Sequence, residues 1–210
     1  MRTIGRAALV LAFVALSPAI ASAQAGRAFT DSWFWGAKAG ALSFSTTRIE
    51  NGFAPSVGTE WLITRNRGAL YISLDRAFFS EESTINDSQS LTGTRVVNVK
   101  DLTRLGFSLM AFPKNYDGLR PYGGVGLALN FIQEASPADG NNDGFTDAVI
   151  AEESSRASFQ LLAGVQKELR AMSLFGQVVM LPFESGFLLN SRAGFALEVG
   201  VRWNMGTAIK

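Results

Sequence analysis

From Trp33 onward the sequence alternates, and this alternation limits the chain's folds more than any other feature. In SWFWGAKAGALSFS one face carries Trp33, Trp35, Ala37, Ala39 and Ala41; the other carries Phe34, Gly36, Lys38, Gly40 and Leu42. Successive side chains of a strand point to opposite faces, so a period of two sustained over this length argues strand. The same reading predicts eight strands, over 33–45, 54–65, 69–80, 95–112, 120–134, 157–169, 172–183 and 192–205. Connections after the second, fourth and sixth are short: Asn66-Arg67-Gly68, Asn115-Tyr116-Asp117-Gly118 and Arg170-Ala171. Those after the odd-numbered strands are longer, the third of them running from Ala135 to Arg156.

Short turns at one end and long loops at the other are the layout of a barrel that crosses a membrane. Each strand has one apolar face, as in Leu70, Ile72 and Leu74, or Val125, Leu127, Leu129 and Phe131. The expected fold is therefore all-β, an eight-stranded antiparallel up-and-down transmembrane β-barrel. Leu70, Ile72, Leu105, Phe107, Leu127, Leu129, Phe195, Leu197 and Val199 should face outward in a band about 25 Å tall. The rival is a soluble lipocalin-like barrel, apolar inside and polar outside. Its wet face should carry Lys, Glu and Thr at most alternate positions. Here the second face is mostly small, as at Gly124, Gly126 and Ala128, with about one charge per strand.

The segment before the strands reads MRTIGRAALVLAFVALSPAIASAQA. Arg2 and Arg6 form a positive region, Ala7 to Leu16 an apolar stretch too short to span a bilayer, and Ala21-Ser22-Ala23 a cleavage site. Residues 1–23 are thus expected to be a cleaved signal peptide and 24–210 a single barrel domain. The 19 basic and 18 acidic residues nearly balance, and nothing suggests a nucleic-acid partner. The chain has no Cys and no His, which removes disulfides, thiolate metal sites, Ser-His-Asp triads and His-ligated zinc. No catalytic residue and no resident cofactor is expected, and the chain is not read as an enzyme.

GAKAGALSFS, RPYGGVGLALNF, LLAGVQKEL and FALEVGVRW resemble, in their glycine spacing and alternation, the small eight-stranded outer-membrane β-barrel superfamily, the OmpA-like transmembrane domains and their relatives. The resemblance covers the chain after residue 23. It implies the outer membrane of a Gram-negative-type bacterium, with both termini periplasmic. The implied partners are outer-membrane lipid, lipopolysaccharide and the barrel-assembly machinery. Trp203 is followed by NMGTAIK, whereas such chains often end on an aromatic residue.

Six charges fall on the inward face: Lys38, Glu60, Asp75, Arg104, Glu198 and Arg202. A barrel of this size is filled by its own side chains, so these charges must pair. They form either a structural salt-bridge core or an ion path. Arg104 should reach Asp75 or Glu60, and Glu198 should lie near Lys38 or Arg202. Arg76 and Asp101 fall on the lipid side, so they should sit near a rim; a hairpin register summing to about 177 would set them opposite each other. Trp33, Trp35 and Trp203 should form part of an aromatic girdle.

DGNNDGFTD in the third long loop has the rhythm of a calcium loop. Asp139, Asn141, Asp143, Phe145 (through its carbonyl) and Asp147 fall at ligand positions, with Gly144 at the turn. Position twelve is Ile150 where a bidentate Glu is usual, and no helix is expected to flank the stretch. A solvated polar turn is the plain alternative. The function classes left open are a structural or surface-interaction barrel with acidic outer loops, a small conduit or binder for apolar molecules, and a soluble periplasmic lipocalin-like binder.

Overall fold

The structure is a computed structural model, described over residues 29–138, 144–169, 172–183 and 187–207. The predicted signal peptide and its cleavage site lie outside those residues. Eight strands follow one another: β1 (Ser32–Phe44), β2 (Gly52–Arg65), β3 (Gly68–Asn86), β4 (Thr94–Ala111), β5 (Leu119–Pro137), β6 (Ser155–Leu169), β7 (Met172–Pro182) and β8 (Ala193–Thr207). Each pairs antiparallel with the next, and β8 returns to β1, so the sheet closes without an edge.

The two faces divide as the alternation predicts. Leu127, Leu197 and Val199 are more than half exposed on the outside, with Leu70, Phe107, Leu129 and Phe195 beside them. Ile72 and Leu105 share that face and are part-covered by their neighbours. The buried face holds all six predicted charges. A soluble barrel would have the opposite polarity.

A membrane strand needs about 9–11 residues. β7 has 11, whereas β3 and β5 have 19 each, so the surplus of β3, β4 and β5 projects past the barrel at the long-loop end. The second and third loops are therefore shorter than the sequence suggests, because their outer parts are strand. The extension has its own apolar face of Ile85, Val97 and Val99. Its free β3 edge is covered by the loop after β1, where Thr46 Oγ1 donates to the Glu82 carbonyl at 2.6 Å and Arg48 meets Glu82 at 3.0 Å.

Two expectations need correction here. The third loop holds a helix, α1 (Gly144–Glu153). Its helix formers carry no clear 3.6-residue periodicity, so the apolar pattern that reveals helices was missing. What fixes it is tertiary, since Ile150 is buried against the apolar cluster. The β3–β4 register also differs, because Arg76 lies opposite Thr103 rather than Asp101. Between Ala77 and Ser80 two β3 residues face Asp101 alone, and Asp101 adopts a positive φ of 52° there. This β-bulge swings Asp101 diagonally onto Arg76, at 2.7 Å, while its other oxygen accepts the Phe79 amide at 3.3 Å.

Candidate functional site

The site is the lumen. β1, β3, β4 and β8 each place a charge on their inward face at one level, and the register brings four of them together. Lys38 lies 2.8 Å from Asp75 and 2.7 Å from Glu198; Arg104 holds Asp75 at 2.8 Å and also bonds Glu198. One step toward the short turns, Arg202 bonds Glu60. None of the six side chains has appreciable contact with solvent.

Uncharged residues join the two groups. The Tyr71 hydroxyl donates to Glu60 at 2.8 Å and accepts from Lys38 and from the Gln177 amide, both at 3.0 Å. Gln177 also donates to Glu198 at 2.7 Å and accepts from Tyr122 at 2.9 Å. Arg202 donates to Gln166 at 2.6 Å, and its guanidinium stacks over Phe175 at 4.0 Å. Tyr71, Tyr122 and Phe175 lie on the inward face that alternation sets, as do Gln166 and Gln177, which sequence reasoning did not single out. Their signal was available, since each occupies an inward position where a polar tip needs a partner.

Glycines make this density feasible, because several of the large inward side chains cross a glycine on the neighbouring strand. Asp75 pairs with Gly58, where a methyl group would stand 2.1 Å from its carboxylate. Glu60 pairs with Gly36, Tyr122 with Gly164 and Phe175 with Gly200, each too close for a Cβ. The glycines therefore seat other side chains rather than leave a pocket. A cavity lined by Leu42, Ser56, Asp75, Ala77, Leu102, Arg104 and Ala196 measures about 10 Å³, room for about one water.

Among the described residues, side chains pack across both mouths. At the short-turn end Phe29 packs on Phe34 and Phe112, and Arg120 lies over the Phe29 ring while bonding Glu168. At the long-loop end Phe183, Phe187, Leu188 and Leu189 are buried as a cap. Ser83 Oγ donates to the Leu188 carbonyl at 2.8 Å, and Ser191 Oγ donates to the Ser45 carbonyl at 3.0 Å.

The outer features are placed as follows. Trp35 stacks on Trp203 with centroids 5.4 Å apart, next to Trp33, and Trp61 faces Trp35 across the β1–β2 pair. Trp61 completes a girdle for which sequence reasoning had named three members. Of the calcium-loop residues, Asp139, Asn141 and Asp143 lie outside the described residues. Phe145 belongs to α1 by its backbone. Asp147 is exposed in the first turn of α1, where an acidic side chain suits the helix dipole. Among the described residues no cluster of three metal-ligating side chains occurs. At the far end of α1, burial lifts the Glu153 carboxyl above its ordinary value, opposed by the nearby Arg156.

A closed eight-stranded antiparallel barrel with a paired, polar interior and an apolar outside is the architecture of the small outer-membrane barrels. The solved structure of Neisserial surface protein A, NspA, matches with a TM-score of 0.56 at 16% identity, over 82% of this chain and 97% of that one. That of Ail, the attachment invasion locus protein of Yersinia pestis, in complex with the heparin analogue sucrose octasulfate, gives 0.48 at 9% identity, over 83% and 99%. At such identities the likeness is one of fold. No protein-family profile and no curated protein matches the sequence.

Proposed function

We propose that this chain is an integral outer-membrane β-barrel of a Gram-negative-type bacterium with a structural or surface-interaction role. Its short turns and both termini are periplasmic, and its long loops face outward. The observation that carries this reading is the inverted polarity. Leu127, Leu197 and Val199 stand exposed, while Glu60, Arg202 and Glu198 are buried. Exposed apolar surface on this scale is costly in water and neutral in lipid. The β3–β5 extension, hydrogen-bonded as continuous strand, offers a surface beyond the bilayer.

A conduit or apolar binder needs volume, and among the described residues the lumen is packed with side chains. Catalysis has no support either. There is no His or Cys, and Glu60, Asp75, Asp87 and Glu198 are each held by a cation, which leaves no free buried carboxylate among the described residues. Refolding into vesicles and planar bilayers tests the proposal. The expected result is a strand-rich circular dichroism spectrum that requires lipid or detergent, with no stable conductance. A persistent open channel would overturn the filled-lumen reading. Folding to a monodisperse species in plain buffer would overturn the membrane reading.

A further inference from the structure

The two ends of the barrel treat their cations differently. At the long-loop end Arg48, Arg76, Arg95 and Lys100 are paired with Glu82, Asp101, Asp87 and Glu134, while Arg156 and Arg192 are the cations there without an ion pair among the described residues. At the short-turn end Arg65, Arg67, Lys114 and Lys167 are all exposed, and none has a carboxylate within ion-pair distance among the described residues. Glu168, the nearest acidic residue in sequence to Lys167, is engaged by Arg120. Among the described residues the exposed acids of that end are Asp31 and Asp117, so two positive charges remain in excess there.

The position of this collar is fixed by its neighbours. Arg65 ends β2 two residues beyond the outward Ile63, in the strand that carries Trp61 of the girdle. Lys167 lies on the outward face of β6 and reaches back to the Asp117 carbonyl at 2.6 Å, which raises its ammonium to the level of the turn. Lys114 stands over the Tyr116 ring at 5.1 Å. Trp and Tyr settle at the headgroup layer of a bilayer, and long basic side chains reach for the same layer.

We infer that Arg65, Arg67, Lys114 and Lys167 form a collar that recruits anionic phospholipid headgroups in the leaflet meeting the short turns. This rests on the membrane reading above. The chemistry is that of a phosphodiester bearing net negative charge, which unpaired guanidinium and ammonium groups attract over a zwitterionic headgroup.

The test is lipid selectivity in phosphatidylcholine vesicles containing the full refolded chain, with traces of spin-labelled phosphatidylglycerol or spin-labelled phosphatidylcholine. Phosphatidylglycerol should associate with the barrel about threefold more strongly at low salt. The preference should vanish in about 1 M NaCl, where the screening length falls to about 3 Å. It should also vanish in the quadruple variant Arg65→Gln, Arg67→Gln, Lys114→Gln, Lys167→Gln, whose circular dichroism should match the parent. Arg48→Gln with Lys100→Gln, at the other end, should leave it intact. Equal association of the two lipids, or a preference that survives the quadruple variant, overturns the collar. A chain that folds but leaves both labels unrestricted has not entered the bilayer, and that outcome overturns the membrane reading instead.

Discussion

Arg104 carries two carboxylates at once, Asp75 across the β3–β4 pair and Glu198 across the lumen. Replacing Arg104 with Met keeps the bulk and leaves both buried acids to share the single cation Lys38. The expected loss is about 3–5 kcal/mol, read from the urea midpoint of the refolded barrel. An unchanged midpoint would mean the charges are hydrated and independent. Gly58 tests the same interior sterically. A methyl there would stand 2.1 Å from Asp75 Oδ1 and 2.7 Å from the Leu74 carbonyl, which is backbone and cannot swing away. Gly58→Ala should cost about 1–3 kcal/mol. Gly176→Ala is the control, because its methyl would meet nothing closer than Val199 Cγ1 at 3.9 Å. Its midpoint should stay within about 0.5 kcal/mol of the parent.

At the scale of elements, the bulge and the helix are the parts added to a regular barrel. The bulge joins Arg76 to Asp101, but Arg76 remains half exposed, so the pair should be weak. A double-mutant cycle on Arg76→Ala and Asp101→Ala should give a coupling of about 0.2–1 kcal/mol. A coupling above about 2 kcal/mol would place the pair deeper in low dielectric than its exposure indicates. Helix α1 hangs on Ile150, which is 5% exposed. Ile150→Ala should speed hydrogen exchange in α1 and in the outer ends of β5 and β6, on which the helix packs, while leaving amides at the Asp75–Arg104 level unchanged. Uniform acceleration through the barrel would show that cap and barrel open as one unit.

For the whole molecule, closure of the sheet and packing across both mouths make a protection pattern. Trypsin added to vesicles bearing the inserted barrel should cut at exposed Arg192 or Arg48, or at Arg67, depending on which end faces out. Lys38, Arg104 and Arg202 should survive because they are buried and paired. Mass spectrometry of the fragments reads this directly. Cleavage at Arg104 under native conditions would mean that the lumen opens.

Strand number, facing and closure were legible in the sequence because they depend on local alternation. Each inward charge sits on a face set by parity within its own strand, as Lys38 does between Ala37 and Ala39. Which charge meets which partner was decided by register, a property of pairs of strands. Thus Arg104 found Glu198 as well as Asp75, and Glu60 was taken by Arg202 rather than by Arg104. The bulge at Asp101 shifted that register by one residue, and no local pattern announced it. Helix α1 and the cap residues Phe183, Phe187, Leu188 and Leu189 are held by tertiary contacts, so their conformation had no periodic signature of its own. Alternation fixes where a side chain points, because the pleat is local. What it touches there depends on segments brought together only when the barrel closes.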